Sequence, residues 1–174
     1  MTWNSYHRRG EVLRTVIKAA DERRDGILPM DVDGVAQTFE DDLDVVAALE
    51  LRWHTQLAGQ IERNLMTQPM DLETNVLLAW QQTAAELPGV RAILDHYAAA
   101  PATPDMARSL EVAAVKESQL LAMMAGKASE INDDITVRVG TELAEKARTT
   151  RIQAPAQEGK VLSFMERIKA AMVA

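Results

Sequence analysis

Glu50 and His54 supply the one local hint of chemistry in this sequence. They stand four residues apart inside an apolar run, so on a helix one lies above the other. A carboxylate and a neutral imidazole together on an inward face are two potential metal ligands, and they could equally orient a small polar ligand. Trp53 adds a large flat apolar surface beside them, so Glu50, Trp53 and His54 form the candidate ligand site, and Glu50 with His54 the candidate metal site. A carboxylate-bridged di-metal bundle needs Glu-x-x-His on two helices, but the residues three before His54 and His96 are Leu51 and Ile93. The zincin pattern HExxH is absent as well. The plainer reading pairs Glu50 with Arg52, Arg63 or an arginine of another helix, and leaves His54 satisfied at the edge of the apolar stripe. Nothing in the spacing names a cofactor.

Other reactive groups are dispersed. Glu117 falls on the apolar stripe of a later helix, where a carboxylate could act as general acid or base or, more plainly, meet an arginine across an interface. His7, His54 and His96 belong to three different predicted helices. There is no Gly-x-Ser-x-Gly, no Gly-x-Gly-x-x-Gly and no Walker lysine motif, which argues against serine hydrolysis, dinucleotide binding and nucleotide hydrolysis. The absence of cysteine removes disulfides, thiolate zinc sites and a cysteine nucleophile.

The element that must position Glu50 and His54 runs from about Asp41 to Gln68. Apolar residues recur there at Leu43, Val46, Ala47, Leu51, Trp53, Leu57, Ala58, Ile61 and Leu65, a spacing of three and four that describes a helix rather than a strand. Asp41, Asp42 and Asp44 favour the positive end of a helix dipole, and Pro69 marks the stop.

All six prolines lie between periodic segments. Proline lacks an N–H and clashes with the preceding helical turn, so these positions mark boundaries. The first helix runs from about Ser5 to Arg24 with Val12, Leu13, Val16, Ile17 and Ala20 inward and Gly26 as its stop. Asp31 is placed to cap a brief helix carrying Val32, Val35, Ala36 and Phe39. After the central helix, Asp71 opens an antiparallel return with Leu72, Val76, Leu77, Trp80, Ala84 and Leu87 inward. A short helix over about 90–98 follows Pro88-Gly89.

The proline-free stretch 105–151 reads as one very long helix or as two broken near Gly126 or Asn132. Unbroken, it would span roughly 70 Å, longer than such a domain is wide, so a break or a covering partner is expected. Its apolar positions include Met106, Leu110, Leu121, Ile135 and Leu143. The domain plan is a helical bundle over 1–153, a linker over 154–159 and a short amphipathic helix over 160–174.

Composition agrees with this plan. Aromatics are only 4% of a chain that is 47% hydrophobic, a balance that suits helices packed through aliphatic side chains. A net charge of −7 disfavours contact with a phosphate backbone. The first three segments, ERRDGILPMDVDGVAQTF and their flanks, faintly suggest the opening of a helix-turn-helix regulator, and Arg8, Arg9, Arg23 and Arg24 cluster at the ends of the first helix, where scattered surface arginines are the usual case. The acids after Phe39 oppose that reading, so nucleic acid is not an expected partner. No run approaches the ~18 apolar residues of a membrane span, and the N-terminus lacks the apolar core of a signal peptide.

The expectation is an all-α protein, an irregular multi-helix bundle of about five to seven helices with one long helix, whole or broken, in its second half. Its first functional reading is a cytoplasmic interaction or scaffold protein that associates with itself or another protein, without catalysis. The alternative is a metal- or small-ligand-binding bundle, enzyme or sensor, with its site near Glu50, Trp53 and His54. A second alternative is a ligand-responsive regulator.

Overall fold

A computed structural model describes residues 3–129 and 134–152. Among the described residues there are seven helices and no strand: α1 Trp3–Arg23, α2 Val35–Thr38, α3 Asp42–Thr67, α4 Leu72–Glu86, α5 Pro88–Ala99, α6 Pro104–Met124 and α7 Asp134–Thr149. The protein is an all-α, irregular multi-helix bundle.

Its helix ends follow local chemistry. Asp41 accepts from the Asp44 N–H and Asp71 from the Thr74 N–H, each satisfying a donor that the first turn leaves open. Thr103 does the same for Met106, with Pro104 in the first turn. Asp31 does not cap α2: Gly34 precedes that helix without a side-chain cap, and Asp31 instead forms two hydrogen bonds of 2.7 and 2.6 Å with Arg23. Arg9 is bound in the same way by Asp44, at 2.9 and 2.6 Å, and stacks over Phe39.

The proline-free stretch is two helices. α6 ends at Gly126, whose φ of 66° is the left-handed conformation that terminates helices, and Lys127 N–H donates to Ala122 O. α7 then turns back on α6, so there is no single long helix and no overhang to cover. The predicted linker 154–159 and amphipathic segment 160–174 lie outside the described residues.

α3 is the spine of the core. Val45, Val46, Leu49, Trp53, Leu57 and Ile61 are fully buried along it, packed on α4 and on the flanking α5 and α6. The stripe lies further round the helix than the sequence reading placed it. Ala47 faces solvent and Leu51 is 70% exposed, while Leu49 and Gln60 are buried. A 3.6-residue repeat centred on Leu49, Trp53 and Ile61 leaves Leu51 nearly opposite. On α7 the inward face is Thr136, Gly140, Leu143 and Ala147, so Ile135 is exposed instead of buried.

Two close approaches lock the helices together. The Gly89 N–H donates to Asp21 Oδ1 at 2.8 Å where α5 meets α1. On α7, a Cβ added at Gly140 would lie 1.8 Å from the Ser118 carbonyl oxygen of α6. Gly140→Ala must force these two backbones apart, and we expect a loss of about 1–3 kcal/mol in urea unfolding. Gly59→Ala is the control: its new methyl group meets only Arg63 Nη1 at 3.4 Å, so it should gain roughly 0.5–1 kcal/mol from helix propensity. Equal effects for the two would contradict the tight α6–α7 seam.

Candidate functional site

Glu50, Trp53 and His54 leave α3 in different directions, and the neighbouring helices decide what each can do. Trp53 points into the core. Its indole N–H donates to Glu117 Oε2 at 2.8 Å, and the indole of Trp80 on α4 donates to Glu117 Oε1 at the same distance. The two rings meet edge to face with centroids 5.6 Å apart. Arg91 of α5 stacks over Trp53 and reaches Glu117 Oε2 at 3.7 Å and Asp95 at 2.9 Å. Arg148 of α7 stacks over Trp80 and shares Asp95. Glu117 is thus a buried acceptor held by two indoles and one guanidinium; the plainer sequence reading expected the arginine and not the indoles. These partners occupy both of its oxygens, which makes it a structural carboxylate joining α3, α4, α5 and α6.

Glu50 and His54 are in a different condition. Glu50 Oε2 lies 3.5 Å from His54 Nε2, and the two side chains are 14% and 22% exposed. His54 Nε2 is buried without a hydrogen bond among the described residues, and the Glu50 carboxyl beside it lines two open spaces. Burial pushes the Glu50 carboxyl up to about 7; the Arg91 charge opposes that rise and Glu117 adds to it. Burial likewise holds His54 below its ordinary value, against Glu117 and a hydrogen bond to the Ala113 backbone, while Lys116 and Arg91 act with burial. Burial thus disfavours the charged form of both groups, which face each other at 3.5 Å.

These shifts give a pH signature. Between about 4.5 and about 7 the folded chain binds more protons at Glu50 than the unfolded chain does, so this group removes stability as pH rises. His54 acts oppositely, adding stability as pH rises toward 6.5. We expect Glu50→Gln to be more stable than the wild type by about 1–3 kcal/mol at pH 8 and equal to it at pH 4. Urea unfolding at both pH values checks this, and a variant less stable at pH 8 would contradict the desolvation of Glu50.

Two spaces meet at Glu50. One is a groove of about 550 Å³ between α3 and α6, walled by Ala47, Leu51, Val112 and Ala113, with Glu50 and His54 at its inner side and Arg108 and Lys116 on the solvent rim. The other is a smaller cavity of about 200 Å³ where α3, α5, α6 and α7 converge, lined by Glu50, Arg91, Glu117, Ser118, Thr141 and Arg148 among others. Trp53 lines neither space and supports the site from behind. His7 and His96 also line neither; His96 packs on Tyr97 and beside Gly26. No group of three His, Asp or Glu side chains able to hold a metal ion occurs among the described residues. Glu50 and His54 are therefore two donors without a third.

Sequence reasoning missed Arg91, Val112 and the tryptophan pair. Their relation to α3 depends on how α5, α6 and α4 dock, and only Glu117, a charge on an apolar stripe, signalled it. No protein-family model, curated protein or solved structure matches this chain.

Proposed function

We propose that this chain is a non-catalytic small-ligand-binding bundle, of the kind that serves as a sensor, and that the ligand enters the α3–α6 groove to meet Glu50 and His54. One observation carries the reading. Buried polar groups in folded proteins are hydrogen-bonded in the great majority, yet His54 Nε2 is buried without such a partner among the described residues, and the Glu50 carboxyl 3.5 Å from it lines the apolar groove beside it. The groove volume of about 550 Å³ falls in the range of small-molecule sites. Leu51 and Val112, 70% and 53% exposed on its facing walls, are the apolar surface a ligand would cover. A metal at Glu50 and His54 is the weaker form of the proposal, because the pair lacks a third donor.

The test is a screen of small amphipathic compounds read by amide chemical shifts. Hits should move signals over residues 47–54 and 108–116, and Val112→Glu should abolish them. Hits that map elsewhere, or that survive Val112→Glu, would overturn the reading.

A second reading, self-association or docking of a protein partner, draws on a separate feature. Met66 and Met70 are 85% and 94% exposed at the α3–α4 link, and Leu72, also exposed, opens α4 and lies against Gly126 past the end of α6. Flexible methionines make adaptable contact surfaces. If this end joins two copies, Met66→Ser with Met70→Ser should lower the mass measured by light scattering; an unchanged mass would count against it. No helix among the described residues is long and apolar enough to cross a membrane. A cytoplasmic location is part of the proposal.

A further inference from the structure

We infer that the ligand of the α3–α6 groove is an amine, whose ammonium group pairs with the Glu50 carboxylate while an apolar body lies against Leu51 and Val112. The inference rests on the ligand-binding reading and adds the chemical class.

The charges facing the inner end of the groove support it. The terminal nitrogens of Arg91 are engaged by Asp95 and Glu117 and its guanidinium stacks on Trp53; its Nε is buried without a partner, and its charge acts on Glu50 with no hydrogen bond recorded between them. Glu117 gives both oxygens to indole N–H groups. Burial disfavours the charged form of His54, whose Nε2 lies 3.5 Å from Glu50 Oε2. Glu50 is set where the groove meets a cavity lined by four acids, Glu50, Asp95, Glu117 and Glu145, against two arginines, Arg91 and Arg148. Both arginines share Asp95, and Arg91 also reaches Glu117. An ammonium brings donors and positive charge at once, and charge-assisted hydrogen bonds are stronger than neutral ones. The cations of the groove itself, Arg108 and Lys116, stand on the exposed rim, and Arg108 is paired with Asp105. They would meet the outer end of a ligand and not its inner one.

The titration of Glu50 makes such binding pH-dependent. An ammonium binds the ionised form of Glu50, whose carboxyl titrates near 7, so its affinity should rise about tenfold from pH 6 to pH 8. An uncharged ligand of the same shape gains nothing from that ionisation.

Three probes with one apolar body separate the possibilities in the full chain: 2-phenylethylammonium, 2-phenylethanol and 3-phenylpropanoate, titrated by amide chemical shift at pH 6 and pH 8. We expect the ammonium to bind at least tenfold more tightly than the alcohol at pH 8, with most of that advantage lost at pH 6. Glu50→Gln should remove the advantage, so that the ammonium binds no more tightly than the alcohol. If the alcohol binds equally well, or the carboxylate binds best through Lys116, the amine assignment is wrong while the groove remains a ligand site. If none of the three shifts signals around Leu51 and Val112 at millimolar concentration, both readings fall. The wild-type pH profile decides the matter even where the Glu50→Gln chain folds poorly.

Discussion

Replacing Glu117 with alanine should lower the unfolding free energy by about 3–5 kcal/mol, the loss typical of removing one partner from a buried charged network. The reason is the number of groups that depend on this carboxylate. Trp53 and Trp80 each lose the only hydrogen-bond acceptor recorded for their indole N–H, at 2.8 Å, and Arg91 loses one of its two anionic neighbours. A buried donor left without a partner costs about 1–3 kcal/mol. Arg91 keeps Asp95, which limits the damage. Glu117→Gln separates shape from charge. Its amide oxygen can satisfy one indole, but its amide nitrogen then faces the other donor, so the loss should be about 2 kcal/mol. Urea unfolding of both variants checks the order. A Glu117→Ala chain within ~1 kcal/mol of the wild type would show that water replaces the carboxylate easily.

Trp53→Ala should cost a similar amount by a different route. The side chain is fully buried on α3, and truncating a core tryptophan generally costs about 3–5 kcal/mol through lost transfer energy and residual cavity. It also removes the ring beneath Arg91 and one donor to Glu117. Trp53→Phe keeps most of the volume and removes the N–H, and should cost about 1–3 kcal/mol. Trp53 and Glu117 share partners, so their losses should not add. The double variant should be less damaged than the sum by more than ~0.5 kcal/mol. Additive losses would mean that the indole–carboxylate bond contributes nothing beyond packing.

Much of this architecture is visible in the chain because its punctuation is local. Asp41, Asp71 and Thr103 cap the helices that follow them, and prolines at 69, 88 and 104 fall at or beside helix boundaries. The burial of Trp53 follows from its place in the stripe. The exposure of Leu51 does not, because Leu43, Ala47 and Leu51 form an apolar row of their own at four-residue spacing. That row is the wall of a groove, and only the docking of α6 shows which row faces the core. The pairing of Glu50 with His54 was legible as a four-residue spacing. Its isolation from other polar groups was not, since it depends on Asp95 and Glu117, forty or more residues away, drawing Arg91 to themselves. The close contact of Gly140 with Ser118 is of the same kind: a lone glycine in a helix reads as a weak point until a second backbone lies against it.

The account depends most on the state of Glu50 at the inner end of the groove. A pH titration of its side-chain carboxyl by carbon-13 NMR, in the full chain without added ligand, measures that state directly. The account predicts a midpoint near 7, with the amides of Leu51 and Ala113 shifting in step as the Glu50 proton is lost. A midpoint near the ordinary 4.5 would mean that Glu50 is already well solvated or paired, and would leave the groove with no desolvated carboxyl to recognise a ligand.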